Sequence, residues 1–242
     1  MNGPDRSGDP GQLIVVPTPI GNLEDITLRG LRVLRQADLI ACEDTRRTGR
    51  LLQLLELPKQ RLMSLNARNE QGRIEQILAL IGEGMTIALV SDAGTPGLSD
   101  PGIPLISAAI AAGIEPIVLP GASALLPAIV ASAFPMRRFW FEGFLPHKKG
   151  RQTRISVIAK LEEPVVLYES PHRIIRLLNE LIERCGAQRS AVVLRELTKL
   201  HEEVTRGSLS SLHDTFSARE RIKGEFVLVL GPHDVATASD AP

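Results

Sequence analysis

The sequence predicts an α/β protein with a mainly parallel sheet in its first half and a mixed sheet in its second half. In the first half, short apolar runs alternate with segments of helical periodicity, which is the pattern of βα units in a parallel sheet. Polar segments rich in Gly and Pro follow several of these runs. In the second half, strand-like runs at 191–197 and 202–206 are joined by a short polar link, which indicates antiparallel pairing.

Five short apolar runs are the predicted strands of the first half, at residues 13–16, 38–42, 62–65, 86–90 and 117–119. The predicted helices between them begin at cap residues or follow apolar periodicity: Thr27 to about Gln36, Asp44 or Thr45 onward, 72–82, 103–112, and Ser123 to Phe134.

In the second half, strands are predicted at 138–144, 165–168, 191–197, 202–206 and 225–230, and helices at 172–185 and 208–217. Residues 146–154 are predicted to form a basic loop. The pattern therefore predicts a disordered lead-in over 1–12, an α/β domain over 13–120, an α+β domain over 121–231 and a tail over 232–242.

Composition narrows the class of function. The chain has 242 residues with 28 basic and 28 acidic side chains, so no global field attracts it to nucleic acid or membrane, although local patches can. Cys42 and Cys185 lie far apart and match no metal spacing, so we expect reduced thiols in a cytoplasmic protein. The histidines also lack metal-ligand spacing, and no apolar run reaches the roughly 18 residues of a membrane helix. We therefore expect neither a metal nor a membrane partner.

Three common catalytic signatures are missing from the sequence. Gly82-Glu83-Gly84 leads into a strand, which is the wrong context for a dinucleotide fingerprint, and there is no P-loop. Residues 121–125 lack the last glycine of a nucleophile elbow.

The most informative stretch is the polar loop at 91–102, SDAGTPGLSDPG, which follows a buried strand. Most such connections have about 2–6 residues, and this one is twice as long. In a parallel sheet, loops at the carboxyl ends of strands bind ligands. Asp92 and Asp100 can bind hydroxyl or ammonium groups of a ligand, or can cap turns of the loop itself.

Eight motifs occur in one order along the chain: PTPIGN (17–22), CEDTR (42–46), SDAGTPGLSDPG (91–102), PGASA (120–124), EGFLPHKKGR (142–151), YESPHR (168–173), RELTK (195–199) and KGEFVLVL (223–230). Together they resemble the tetrapyrrole-methylase superfamily of S-adenosylmethionine enzymes, which have the class III methyltransferase fold. The CEDTR and SDAGTP pair is similar to the narrower branch that methylates a cytidine ribose 2′-oxygen in 16S rRNA. The chain departs from that branch at Asn66-Ala67-Arg68, where a histidine-containing run is expected.

The resemblance implies two α/β domains with S-adenosylmethionine in the cleft between them, and a homodimer. Carried over by motif, the implied cofactor-binding residues are Pro19, Asp92, Gly94, Thr95, Pro96, Ser99, Asp100, Ala122, Ser123, Ala124, Leu145, Tyr168 and Glu225.

The implied reaction needs a group that orients or deprotonates a ribose hydroxyl, because this hydroxyl is a poor nucleophile at neutral pH. Polar residues at strand ends are the candidates: Glu43, Asp44, Asn69, Glu70 and Glu169, with Arg46 nearby. The first choice for this group is Glu43 or Asp44. The alternative role for these residues is structural: they cap the N-terminus of the following helix, where the helix dipole favours an acidic side chain.

The implied substrate is 16S rRNA in the decoding region of the small ribosomal subunit. Lys148, Lys149, Arg151 and Arg154 are the predicted RNA contacts, because basic side chains bind phosphates. We expect the interleaved aromatic residues at 139–144 to be core residues of a strand. Two other functions remain open: methylation of a small tetrapyrrole, which would not need the basic loop, and RNA binding without catalysis.

Overall fold

A computed structural model describes residues 11–66 and 69–233 of the chain. The chain divides into two compact units between Ser123 and Ala124, and each unit has its own sheet and core. The predicted lead-in lies outside the described residues up to residue 10, and strand β1 already begins at Gln12. The predicted tail lies outside them from residue 234 onward.

The first unit contains an all-parallel sheet, which confirms the predicted fold of this half. Its strands are β1 (Gln12–Val15), β2 (Leu39–Cys42), β3 (Leu62–Ser64), β4 (Thr86–Leu89) and β5 (Ile117–Val118). They are arranged in the order β3-β2-β4-β1-β5. Leu89 of β4 pairs with both Val15 of β1 and Ala41 of β2, so the ends of these three strands are level.

Helices cover both faces of this sheet. They are α1 (Leu28–Gln36), α2 (Thr45–Leu54), α3 (Glu70–Gly82) and α4 (Ile103–Ala111). Apolar residues of α1 and α2 belong to one core cluster, and those of α3 and α4 belong to another. The carboxyl ends of the strands are therefore left at one edge, where helices on opposite faces leave space for a ligand.

Local capping explains where two of these helices begin. Thr27 Oγ1 accepts a hydrogen bond from the backbone N–H of Gly30 at 2.9 Å, as predicted. Of the two candidate caps for α2, Asp44 holds the position, since its Oδ1 accepts from the backbone N–H of Arg46 at 2.8 Å. The same side chain that was a catalytic candidate therefore has a structural task.

The second unit contains the predicted mixed sheet. Its strands are β6 (Trp140–Phe144), β7 (Val165–Glu169), β8 (Ser190–Arg195), β9 (Glu203–Ser208) and β10 (Phe226–Leu230). They are arranged in the order β6-β7-β10-β8-β9, with β6 and β7 parallel and the other pairs antiparallel. Its helices are α5 (Leu125–Ser132), α6 (Arg151–Ile158), α7 (Ile174–Cys185) and α8 (Leu209–Ser217).

Two local predictions were wrong, and the start of α5 differs from its prediction by one residue. The predicted basic loop ends early, because α6 begins at Arg151 after Gly150, which has a φ of +85°. Helix α5 has Ala124 at the N-cap position, one residue after the predicted cap Ser123. The aromatic residues are not all in the core: Phe139, Trp140 and Phe144 are 40%, 44% and 52% exposed. Trp140 and Phe144 belong to β6, an edge strand of this sheet, and Phe139 directly precedes it.

Among the helices of residues 11–66 and 69–233, none combines the length and the apolar character that crossing a bilayer requires.

Candidate active site

A polar cavity of about 590 Å³ lies in the first unit, at the edge where β2, β3 and β4 end. Because the strands are parallel, the segments that follow them meet at this edge. The cavity is lined by Glu43, Asp44, Thr45, Arg46, Arg47, Ser64, Asn66 and Asp92. It therefore combines the CEDTR segment with the first acidic residue of the loop after β4.

Asp92 connects these two segments directly. Its Oδ1 accepts a hydrogen bond from the backbone N–H of Asp44 at 3.2 Å, and its Oδ2 lies 3.1 Å from the guanidinium of Arg47. The Asp92 side chain is 18% exposed and that of Arg47 is 72% exposed. Both oxygens of this carboxylate are thus engaged within the first unit.

Glu43 and Asp44 are neighbours with opposite electrostatic environments. Burial raises the pKa of Glu43 above its usual value, the charge of Asp92 raises it further, and Arg47 opposes this. The hydrogen bond from Arg46 lowers the pKa of Asp44 to about 2. Asp44 is therefore a firmly ionised, weakly basic group, whereas Glu43 is the better proton acceptor of the two.

The carboxylate of Glu43 accepts no hydrogen bond from any residue within 11–66 and 69–233, and only its backbone carbonyl is engaged, by Ser64 Oγ at 3.2 Å. Asp44 differs, because both of its oxygens lie within 3.3 Å of the Arg46 side chain. That arginine side chain is 91% exposed. Of the two first-choice candidates, only Glu43 retains a carboxylate available to a substrate.

The two candidates that follow β3 are placed differently from one another. Asn69 stabilises the turn, because its Oδ1 accepts from the N–H of Asn66 at 2.9 Å and its amide donates to the Ser64 carbonyl at 3.2 Å. Glu70 begins α3, and its Oε1 is buried without a hydrogen-bond partner among the described residues. Ala67 and Arg68 of the departure from the family pattern lie outside the described residues.

The loops that follow β1, β4 and β5 meet one another and form a second group over these strands. Thr18 and Gly94 exchange two backbone hydrogen bonds of 2.9 Å, and Thr95 Oγ1 donates to the Ala122 carbonyl at 3.0 Å. Gly94 has a φ of +80°, and a Cβ there would lie 3.3 Å from Ile20 Cγ2. A glycine at residue 94 therefore lets the three loops meet at this point without backbone strain.

The remaining predicted cofactor residues of the first unit follow in the same loops. Pro19 and Asp100 are half-buried, Pro96 is buried, and Ser99 is exposed with a φ of +69°. Ser123 is the last residue of the first unit. The structure thus brings Pro19, Gly94, Thr95 and Ala122 to one place, next to the cavity lined by Asp92.

The candidates of the second unit lie on or beside its sheet. Leu145 is buried, and the Tyr168 ring contacts Phe141 and Phe144 edge-to-face, with centroids 5.2 and 5.6 Å away. The Glu225 side chain is 77% exposed and lies 3.0 Å from Lys199 Nζ. Ala124 is the N-cap residue of α5.

The four predicted RNA contacts separate into two pairs. Lys148 and Lys149 are exposed. Arg154 is ion-paired with Glu142, whose Oε1 accepts from Nε at 2.7 Å. Arg151 is only 1% exposed and is bonded to Glu169 and Glu180, so this cation cannot reach a phosphate in the folded protein. Glu169, a candidate base, is 0% exposed and serves this ion pair.

Sequence reasoning missed the part that Arg47 and Ser64 play in the cavity. Arg47 is not among the predicted site residues, and its contact with Asp92 spans 45 residues of sequence. Ser64 is the last residue of β3, and its position at a strand end was the available signal. Within the described ranges, no cluster of His, Cys, Asp or Glu side chains is arranged to hold a metal ion.

Comparison with known proteins first defines the class. Residues 12–213 match the family model described as Tetrapyrrole (Corrin/Porphyrin) Methylases. The crystal structure of the methyltransferase CobJ superposes with a TM-score of 0.69 at 21% identity, covering 96% of this chain and 98% of that one. Cobalt precorrin-4 methyltransferase CbiF gives 0.68 at 17% identity over 96% and 98% of the two chains. At these identities the likeness shows a shared two-domain α/β fold.

Sequence relatives then narrow the class. The protein called ribosomal RNA small subunit methyltransferase I in Thermotoga maritima is 46% identical to this chain, over 91% of this chain and 98% of the relative. The Synechocystis relative is 46% identical over 96% and 82%, and that of Escherichia coli O157:H7 is 45% identical over 96% and 81%. The chain therefore belongs to the tetrapyrrole methylase family and, within it, to the ribosomal RNA small subunit methyltransferase I family.

Proposed function

We propose that this chain uses S-adenosylmethionine to methylate the ribose 2′-oxygen of a cytidine in 16S rRNA, in the decoding region of the small ribosomal subunit. The names of its relatives support rRNA of the small subunit as the substrate class. The observation that carries the proposal is the cavity at the ends of β2, β3 and β4, where the Glu43 carboxylate accepts no hydrogen bond from the described residues.

The loops over β4, β1 and β5 are the proposed binding site for S-adenosylmethionine. The glycine at residue 94 leaves backbone groups accessible where a Cβ would crowd Ile20, and Thr95 fixes the neighbouring Ala122 segment. Pro19, Gly94, Thr95 and Ala122 would hold the donor, with Pro96, Ser99, Asp100 and Ser123 nearby. When bound, S-adenosylmethionine supplies a methyl group on a sulfonium sulfur. Leu145, Tyr168, Glu225 and Ala124 stay predictions as further cofactor contacts.

Glu43 is the residue that would act on the acceptor. A ribose hydroxyl must lose its proton as it attacks, and a positioned base typically contributes about 10²–10⁴-fold. Its raised pKa brings Glu43 closer to the range of an effective base, whereas the Arg46 pair keeps Asp44 ionised and weakly basic. Glu43 thus accepts the proton, while Asp44 caps α2 and orients Arg46.

The second unit offers a surface for RNA. Lys148 and Lys149 are exposed, and Phe144 at the end of β6 is 52% exposed. Cations bind the backbone and aromatic rings stack on bases, which is a common arrangement in single-strand recognition. The proposed RNA surface therefore consists of Lys148, Lys149 and Phe144, without the buried Arg151.

The proposal also includes a homodimer that acts in the cytoplasm on small subunits. Leu126 and Val130 are one turn apart on α5 and are 61% and 79% exposed, which supports burial against a second copy. Replacing Val130 with Glu should then give a monomer in light scattering. An unchanged mass would count against this face.

The function is tested by incubating the full-length protein with labelled S-adenosylmethionine and small subunits that lack the modification. We expect one cytidine to be labelled. The phosphodiester bond on its 3′ side should resist alkaline cleavage, because the methylated 2′-oxygen cannot attack it. E43Q should reduce the single-turnover rate about 100-fold or more, while E83Q, an exposed carboxylate at the other edge of the sheet, should not change it. Label on a tetrapyrrole instead, or no transfer to any substrate, would reject the proposal.

A further inference from the structure

The cavity at the ends of β2, β3 and β4 is lined by more acidic than basic side chains. These are the carboxylates of Glu43, Asp44 and Asp92 and the guanidinium groups of Arg46 and Arg47. Arg46 lies 3.1 Å from Asp44, and Arg47 lies 3.1 Å from Asp92, so each cation already has an acidic partner. Glu43 has no such partner among the described residues. The lining is therefore net negative when these groups are ionised.

The proposed acceptor would bring a further negative charge into this cavity. In RNA, the carbon that bears the 2′-oxygen is bonded to the 3′-carbon, whose oxygen carries the next phosphodiester. A ribose whose 2′-hydroxyl reaches Glu43 therefore places this phosphate close to the same carboxylates. Because like charges repel more strongly in a partly buried site than in water, the phosphate needs a cation with free N–H donors near Glu43.

Arg46 has the donors and the exposure that this phosphate requires. Its Nε and Nη2 atoms lie 3.3 and 3.1 Å from the two oxygens of Asp44, and its Nη1 atom donates no hydrogen bond to any residue within 11–66 and 69–233. The edge formed by Nη1 and Nη2 is therefore open, and arginine can bind a phosphate through two parallel hydrogen bonds from such an edge. Arg47 differs, because its Nη1 atom is the one that contacts Asp92.

We propose that Arg46 binds the phosphodiester on the 3′ side of the target ribose and thereby holds the 2′-hydroxyl at Glu43. This inference rests on the proposed function, because it takes an RNA ribose as the acceptor. Asp44 is the positioning residue for Arg46, since its carboxylate fixes the Nε–Nη2 edge while its Oδ1 accepts from the backbone N–H of Arg46 at 2.8 Å. A cation that is ordered before the RNA arrives loses less conformational freedom on binding.

The exposure of this ion pair argues against a purely structural role. The side chains of Arg46 and Asp44 are 91% and 28% exposed, and ion pairs at such positions contribute little to stability. The N-cap hydrogen bond of Asp44 uses the backbone of Arg46 and not its side chain. We therefore expect R46Q to fold like the wild type, so that a loss of function in this variant reports on the substrate.

The salt dependence of RNA binding tests the contact. Binding to small subunits that lack the modification is measured over a range of salt concentrations. R46Q should reduce the steepness of log K against log[salt] by about 0.7, the value for one phosphate of a single strand, whereas R46K keeps the charge and should keep the slope. R35Q is the matched control, since Arg35 is exposed in the last turn of α1, just before β2 begins.

Net charge is a second influence on this slope, because R46Q leaves Asp44 without its partner. The double variant D44N/R46Q has the net charge of the wild type, and Asn is as good an N-cap residue as Asp. A phosphate contact predicts that the double variant keeps the reduced slope. A return to the wild-type slope, or an equal change in R35Q, would overturn the proposal.

Two further readouts locate the phosphate. With small subunits and S-adenosylmethionine at saturation, R46Q should lower the single-turnover rate about tenfold or more, because a contact next to the reacting ribose contributes to its alignment. An unchanged rate would place the phosphate elsewhere on the RNA and reject the assignment. Isothermal titration with S-adenosylmethionine should give R46Q a Kd within about twofold of the wild type. A Kd raised about tenfold or more would make Arg46 a ligand of the methyl donor instead.

E43Q separates this inference from the proposed function. If E43Q keeps the wild-type single-turnover rate, the role of Glu43 fails, whatever the behaviour of R46Q. If E43Q is slow while R46Q keeps both the wild-type slope and the wild-type rate, only the phosphate contact of Arg46 fails. If the wild type transfers no label to 16S rRNA, both fail.

Discussion

Arg151 and Glu180 form a buried ion pair in the second unit, with 2.7 Å between Nε and Oε2 and with 1% and 10% of their side chains exposed. The same guanidinium lies 3.4 Å from Glu169, which also pairs with Arg173 at 2.7 Å. The Nη1 atom of Arg151 lies 3.4 Å from the carbonyl oxygen of Pro146. Arg151 thereby attaches the segment that carries Lys148 and Lys149 to the core of this unit.

Replacing Arg151 with Ala should lower the free energy of unfolding by about 3 kcal/mol, because it removes the buried cation that two buried carboxylates share and leaves them only Arg173 and Arg176. The change can be measured by urea unfolding followed by fluorescence of Trp140, the single tryptophan, which lies in the second unit. Arg176→Ala is the matched control, since Arg176 contacts the same Glu180 but is 55% exposed. It should cost about 1 kcal/mol or less. Equal losses in the two variants would contradict the assignment.

Glu203 predicts an acid-sensitive contact between β9 and the end of α8. Hydrogen bonds from Arg219 lower the pKa of Glu203 to about 2, and Arg219 also lies 4.3 Å above the Phe216 ring. The pKa of Glu203 is lower in the folded state than in the unfolded state, where it is about 4.3. The ionised carboxylate therefore stabilises the folded protein above about pH 4.3, and this contribution is lost as the pH falls toward 2. Glu203→Gln should therefore lose about 1–2 kcal/mol at neutral pH, allowing for partial exposure.

The difference between wild type and Glu203→Gln should shrink from about pH 5 to about pH 3. It is measured as urea midpoints at several pH values, with Glu220→Gln as the control at an exposed position. A constant difference across this range would show that Glu203 contributes through something other than its charge.

The alternation of apolar runs with helical periodicity was sufficient to predict the parallel sheet, since each strand is a local run of residues such as Leu39–Cys42. Short-range capping was also visible, as at Thr27, whose partner is three residues away. These features depend on neighbours in sequence, which is why one sequence can reveal them.

Long-range ion pairs could not be predicted in this way. Lys148, Lys149 and Arg151 form one basic run in the sequence, yet Arg151 alone turns inward to partners 18 and 29 residues away. Asp92 likewise meets a backbone N–H 48 residues away. The identity of a charged residue does not specify whether its partner is solvent, a ligand or a distant carboxylate, so the candidate site could be located but the tasks of its residues could not be assigned.

Gly224 precedes β10 with a φ of +101°, and a Cβ at this position would lie 2.5 Å from Glu196 Cγ. Gly224→Ala should therefore destabilise the protein through both backbone strain and overlap, by about 2–4 kcal/mol together. Gly186→Ala is the matched control, because its φ is +89° but no atom lies within 4 Å of an added Cβ. It should cost only the backbone strain, on the order of 1–3 kcal/mol. A thermal melt in which both variants lose the same stability would exclude the overlap with Glu196.

The exposed pair Lys148 and Lys149 should contribute to RNA binding through charge rather than shape. In single-strand binding, log K falls with log[salt] by about 0.7 for each phosphate that is neutralised. Replacing both lysines with Ala should therefore reduce the steepness of the salt dependence by up to about 1.4, with small subunits lacking the modification as the ligand. Lys160→Ala is the control, since Lys160 is exposed just beyond the other end of α6. An unchanged slope in the double variant, or the same change in the control, would show that the segment before α6 does not bind RNA phosphates.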